Sequence, residues 1–276
     1  SGFAVAMAGT MSYWAGGNVY RTLDNGQNWN LVNGFISQSK IGYCYNAIPA
    51  PETFSMMDKS SVLWVKMLGG VSLASVTKLQ LLNGANYFAY GADGRWEIIG
   101  AQTCTLQADG SYYLTNILRG RFGTEWAAVG HVRDDNLVLL HPDFTQYSLM
   151  NNGQIGLQYD YRFVENGGNI NDKPDVMFAY KGVNLECLSP VYASGIRNSP
   201  TTNDWTINWM RRTRVGGELR DGVDATLSEA SESYEIVIFA DETYTTTKRT
   251  LTSTTPSVIY TAANQTTDYG SVQTQD

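Results

Sequence analysis

The sequence predicts an all-β protein, on three observations. Asn-Gly and Asp-Gly turn signals punctuate it at short intervals. The segments between them are rich in Val, Ile, Tyr, Trp and Thr, and in the clearest of these the large apolar residues recur at every second position. The predicted organisation is an irregular β-rich domain with hairpins over residues 1–185, then an incomplete two-sheet sandwich over 186–276.

Composition bounds the rest. At 276 residues, 43% hydrophobic, 12% aromatic and 16% charged, the chain can bury a sizeable core and is far from a disordered composition. A net charge of -7 removes the basic footprint of a nucleic-acid binder, so no nucleic acid is expected. The longest apolar run, residues 61–82, carries Lys66, Lys78 and Gly69-Gly70, so no membrane span is expected. The apolar start at Phe3–Met7 has no basic residues before it, and with Ser1 in first place it reads as the start of an excised or mature piece, not a signal peptide. Cys44, Cys104 and Cys187 are odd in number and far apart, which predicts buried small hydrophobes and neither a disulfide framework nor a metal clip. Two histidines, His131 and His141, are too few for a His-based metal site or a triad. No metal, no cofactor and no catalytic residue is assigned.

The elements follow in order. Turns that need a positive φ are predicted at Asn25-Gly26, Asn33-Gly34, Asn83-Gly84, Asp93-Gly94, Asp109-Gly110, Asn152-Gly153, Asn166-Gly167 and Asp221-Gly222. The best helix candidate is Thr124–Val129, with Thr124 as N-cap and Gly130 as stop. A Gly- and Asn-rich stretch, Asn166–Asp175, precedes a strand at Val176–Tyr180, and the domain boundary is placed at 183–190. Beyond it, Pro190 is tolerated at the start of an edge strand. Strands are predicted at Leu188–Ile196, Trp205–Arg214, Tyr234–Phe239, Arg249–Ser253 and Val258–Thr261, with Trp209 filling the core between two sheets. This is the strand and aromatic spacing of a fibronectin type III or immunoglobulin-like sandwich. Five strands against seven leave at least the last one missing and an edge unpaired.

Several motifs carry potential chemistry, each with a plainer structural account. Thr22–Trp29 is similar to the Asp box of sialidases and related propellers; as a single copy it reads as a structural turn. Arg119-Gly120-Arg121-Phe122-Gly123-Thr124-Glu125 holds two guanidinium groups and a carboxylate. An Arg–Glu pair there would order the loop and form a subunit contact, or else read an anionic ligand; the segment lacks the ending of a P-loop. Arg211, Arg212 and Arg214, with Arg220, form the one basic cluster, expected to pair with Glu218, Asp221 and Asp224 at a solvated strand end. Asp134-Asp135, Asp172 with Asp175, and Glu229 with Glu232 are acid pairs of the sort that hydrolyse glycans, and are read first as solvated turns. Tyr43–Tyr45, Tyr87–Tyr90 and Tyr159–Tyr161 are read as strand packing before a sugar-stacking surface.

Taken together, Leu118–Glu125, Gly130-His131 and Leu137–Leu140 resemble the motif run near the C-terminal end of the large tail-tip, or baseplate hub, protein of gene transfer agents and long-tailed phages. Tyr20–Gly26, Leu81–Asn86, Leu188–Val191, Trp209–Arg214 and Ser228–Ile236 continue the resemblance in collinear order. It implies a C-terminal fragment of a non-enzymatic structural protein, assembled as a homotrimer around the tail axis with other tail or baseplate proteins. Its place would be the virion tail tip, built in the bacterial host cytoplasm, where a disulfide-free chain is at home. The alternatives are a carbohydrate- or receptor-binding module presented to a host surface glycan, and a virion-associated glycan hydrolase.

Overall fold

The computed structural model describes residues 2–10, 13–215 and 226–274. The chain divides into two compact units, Ser1–Glu186 and Cys187–Asp276. The first unit runs β1 (Gly2–Val5), β2 (Gly17–Thr22), β3 (Asn30–Phe35), β4 (Ile41–Cys44), β5 (Leu63–Met67), α1 (Lys78–Leu82), β6 (Tyr87–Ala92) and β7 (Arg95–Leu106). It continues through β8 (Tyr112–Arg121), β9 (Asn136–Leu139), β10 (Gln146–Leu149), β11 (Gln158–Glu165) and β12 (Val176–Ala179). The second holds β13 (Val191–Arg197), β14 (Trp205–Met210), β15 (Tyr234–Phe239), β16 (Thr247–Ser253), β17 (Ser257–Tyr260) and α2 (Ala262–Tyr269). Among the described residues the protein is all-β apart from two short helices and a few 3-10 turns. Neither helix is long and apolar enough to cross a membrane.

The centre of the first unit is a closed antiparallel barrel, in the order β4-β5-β8-β7-β6-β9, shut by the pairing of β4 with β9. Period-2 alternation fills it: Leu63, Val65 and Met67 point in from β5, and Ile99 and Ala101 from β7. Phe88, Leu114, Ile117 and Leu137 complete the packing. Removing such side chains from water contributes roughly 1.5–3 kcal/mol each, which is what holds the barrel closed. Beside it, a four-stranded sheet β12-β11-β2-β3 and the hairpin-like pair β1-β10 share a second core of Val5, Val19, Phe35 and Tyr161. Phe3 on β1 packs against Tyr161 and Phe178 there, with ring centroids 5.9 and 4.6 Å away.

In the second unit, β13-β14-β17 form one sheet and β15-β16 another. Among the described residues the chain thus lays two strands in the first sheet, crosses for the third and fourth, and returns with the fifth, a two-sheet connectivity of the sandwich type. Trp209 is buried in its core, edge-on to Tyr234 at 5.0 Å. The predicted strand Trp205–Arg214 stops at Met210, because the arginines that follow turn toward carboxylates outside the sheet. α2 was not foreseen. Thr261 caps it, Gln265 is fully buried with its amide on the Asn203 and Tyr260 carbonyls, and Asp268 takes both a bidentate Arg249 and the Tyr260 hydroxyl.

Several turn expectations need correction. Asn25-Gly26 and Asp93-Gly94 close hairpins, as does Asp109-Gly110, and Asn166-Gly167 turns the chain after β11. Asn83-Gly84 is also a turn, with Gly84 at φ 96°, though it follows α1 and closes no hairpin. Asn33-Gly34 instead lies inside β3, and Asn152-Gly153 starts a 3-10 turn. Asp221-Gly222 lies outside the described residues. The predicted helix at Thr124–Val129 is a 3-10 turn, Glu125–Ala128, and Thr124 does not cap it: its hydroxyl accepts from Ile98 N and donates to the Arg121 carbonyl.

Candidate functional site

Ionisable groups converge at one end of the barrel, and a break in strand register puts them there. The pairing of β7 with β8 shifts between Ile98 and Gly100, where Gly120 adopts φ 56°. The extra residue turns Arg119 into the barrel and frees the Gly120 N–H from the ladder. That N–H donates to Glu97 Oε1 at 2.7 Å, and the freed Ile98 N–H goes to Thr124. A Cβ at Gly120 would meet Phe54 at 2.6 Å and Glu125 Cγ at 2.7 Å, so the position needs glycine for space as well as for φ.

Arg119 and Glu97 form a bidentate pair, Nε to Oε1 at 2.8 Å and Nη2 to Oε2 at 2.9 Å, with both side chains 0% exposed. Nη1 donates to the Pro49 carbonyl at 2.7 Å and lies 3.7 Å from Asp58. His131 Nε2 faces Glu97 Oε2 at 2.9 Å. Its Nδ1 lies 2.9 Å from Asp135 Oδ2 and 2.8 Å from Arg95 Nη1, and its ring stacks on Tyr90 at 3.8 Å. Arg95 closes the cluster with a bidentate grip on Asp135, at 2.7 and 2.9 Å. Burial raises the Glu97 carboxyl, but the hydrogen bonds from His131 and Arg119 and the charge of Arg119 outweigh it and hold the group below its ordinary range. Asp135 is likewise lowered: burial works against the charge, and Arg95, His131 and the Val132 N–H more than offset it.

This cluster plugs the barrel with satisfied charges. None of its members lines the groove of about 600 Å³ near Tyr43, Lys66 and Tyr112, or the smaller cleft near Arg21. Among the described residues no group of three or more His, Cys, Asp or Glu side chains is placed to hold a metal ion.

The sequence candidates now fall into place. Arg119 pairs with Glu97 across the strands and not with Glu125 in its own loop, because the register break turns it inward. His131 has close companions, which come from β7 and from four residues downstream. Asp134 and Asp135 point apart, one 69% exposed and the other in the plug. Asp175 binds Arg162 at 2.6 Å, and that guanidinium lies 4.3 Å over Trp29, so it makes no pair with Asp172. Glu229 pairs with Arg214 at 2.7 Å and Glu232 with Arg211 at 3.4 Å. The expected partners Glu218, Asp221 and Asp224, with Arg220, lie outside the described residues. Arg212 donates to the Ser189 carbonyl. Cys44 and Cys104 are buried, and burial pushes the Cys104 thiol up to about 11; Cys187 is exposed, against expectation, because it sits in the irregular stretch before β13. His141 is half exposed, 3.5 Å from Asp143.

The Asp-box segment is a hairpin device. Thr22 Oγ1 accepts from Gly26 N at 2.9 Å, Asp24 takes the backbone and side-chain amides of Asn28, and Asn25 and Gly26 carry φ of 56° and 86°. Those Asn28 bonds, with one from Thr22, hold Asp24 down at about 2. Of the tyrosine stretches, Tyr87, Tyr90 and Tyr161 are core. Tyr43 and Tyr45 instead join Trp64 and Tyr113 in an aromatic row across the outer face of β4, β5 and β8, with successive centroids 5.5, 4.7 and 5.8 Å apart. Trp64 and Tyr113 were not singled out from sequence; their outward places in the alternation of β5 and β8 were the available signal.

A comparison with curated proteins gives no match. A comparison with protein families matches residues 39–138 to the family described as Rcc01698-like, C-terminal, and that span covers the barrel from β4 through β9 together with its Arg119–Glu97–His131–Asp135 plug.

Proposed function

We propose that this chain is a structural, non-enzymatic component of a phage or gene-transfer-agent tail tip, part of the baseplate hub. In this reading it works as a homotrimer with neighbouring tail proteins and contributes to engagement of the host surface. The observation that carries the reading is the family match on residues 39–138, which falls on the same barrel that holds the Leu118–Glu125 and Gly130-His131 motifs. The plug adds physical support: its ionisable groups are spent on one another, as in a rigid module that presents surfaces. The test is immunogold labelling of purified particles with antibody raised against this chain. Label at the distal tip of the tail is the expected result; particles that carry no label overturn it.

A second reading, a carbohydrate-binding module, is favoured by the aromatic row Tyr43–Tyr45–Trp64–Tyr113. Aromatic rings with polar neighbours suit sugar stacking. Here Trp64 Nε1 donates to Ser111 and Lys66 Nζ to the Asp109 carbonyl. Glycan-array binding abolished by Tyr113→Ala would establish it.

A further inference from the structure

A second cluster stands out because its polar groups are not satisfied. Arg21 on β2 and Tyr161 on β11 are direct cross-strand partners and share one face of the four-stranded sheet. Together with Val32 on β3 and Tyr147, Ser148 and Leu149 on β10, they line a cleft of about 280 Å³. Tyr161 is 3% exposed, and its hydroxyl, beside the Arg21 guanidinium, meets no acceptor among the described residues; the buried Nε of Arg21 meets none either. The guanidinium makes no ion pair among those residues. Its contacts are the weak one from Nη1 to Met150 Sδ at 3.7 Å and a stack over Tyr159 at 5.0 Å. A cation without a counter-charge and a buried phenol without an acceptor are each costly, and here they border the same space.

The geometry points to a binding site for a carboxylate in this cleft. A carboxylate supplies only acceptors, which is what both orphaned donors lack, and its planar edge matches the guanidinium fork. Arg21 is the one cation lining the cleft, so a singly charged anion balances it and a phosphate dianion does not. The cleft has room for a ligand about the size of one acidic sugar ring. Tyr147 and Leu149, 56% and 84% exposed, stand at its mouth and offer apolar contact to the body of the ligand. The Ser148 hydroxyl donates to Asn33 Oδ1 and fixes this stretch of β10 against β3.

The test uses the whole chain and follows its thermal midpoint with sodium acetate, D-glucuronate, inorganic phosphate and uncharged methyl glucoside, each against sodium chloride at equal ionic strength. Acetate or glucuronate raises the midpoint saturably, by about 3–6 °C at ten times Kd. Tyr161→Phe and Arg21→Met abolish that rise, and without ligand both are at least as stable as the parent, since each removes an unsatisfied group. A rise no greater than with chloride, a rise kept in Tyr161→Phe, or a larger response to phosphate or methyl glucoside overturns the assignment. Should Arg21→Met fail to fold, Tyr161→Phe alone decides, because it removes one oxygen and keeps the ring packing.

Discussion

Removing the Arg119 guanidinium while keeping its bulk, as in Arg119→Met, leaves Glu97 ionised in a site with no solvent. Three hydrogen bonds go with the side chain, two to Glu97 and one to the Pro49 carbonyl. Breaking one half of a fully buried ion pair costs about 3–5 kcal/mol, most of it the penalty of the stranded partner. Glu97 keeps the Gly120 N–H and His131, which places the expected loss toward the lower end of that range. For a unit of this size 3 kcal/mol corresponds to a fall in Tm of about 6–12 °C. The matched control is Arg214→Met, whose partner Glu229 and own side chain are 30% and 27% exposed, so solvent screens the pair and its loss is small. Urea unfolding followed by tryptophan fluorescence reads both, since Trp64 and Trp96 report on the barrel strands and Trp205 and Trp209 on the second unit. The double variant Arg119→Met/Glu97→Leu is expected to lose less than the sum of its single changes, because the stranded charge is gone. A loss below about 1 kcal/mol for Arg119→Met, or one equal to that of Arg214→Met, refutes the claim that the plug is a buried ion pair whose members depend on one another.

Other expectations follow from the same geometry. Glu97 and Asp135 both titrate below their ordinary values of 4.5 and 3.8, so their contribution to stability is complete above about pH 4.5 and is lost as pH falls through their lower folded values. Urea midpoints between pH 3 and 7 should fall on the acid side, and Glu97→Gln should flatten that slope. Gly120→Ala should destabilise by about 1–3 kcal/mol in the same assay, from a left-handed residue whose Cβ has no room. Thr22→Val should cost about 1 kcal/mol by stranding the Gly26 amide, and amide exchange at Gly26 should accelerate.

What could be read from the residues was whatever depends on neighbours in sequence. Tyr234–Phe239 was placed to the residue because it alternates and is flanked by turn-prone Ser and Asp. The Asp-box turn was legible because all its bonds run within Thr22–Asn28. α1 was not read from the residues: at five residues it is too short for a periodic stripe, and its capping box, Thr77 with Gln80, was the one local signal for it. α2 has no apolar stripe in Ala-Ala-Asn-Gln-Thr-Thr-Asp-Tyr, and it is held by polar side chains reaching to β16 and β17. The plug was hidden for a different reason. Glu97 and Arg119 lie 22 residues apart and His131 is 34 from Glu97, and the meeting depends on a register break that no local pattern announces.

That dependence also explains why charge suits the end of the barrel. In an apolar barrel a slip of one residue between β7 and β8 exchanges one set of side chains for the other, and Leu, Ile and Tyr on both faces of β8 would blunt the penalty. With the cluster in place, the same slip turns Arg119 outward and leaves Glu97 and His131 facing an apolar interior. It also takes the Gly120 and Ile98 amides away from Glu97 and Thr124, so Arg119, Glu97 and both amides lose partners at once. The apolar residues therefore supply the drive to close the barrel, and the ionic plug selects the register in which it closes.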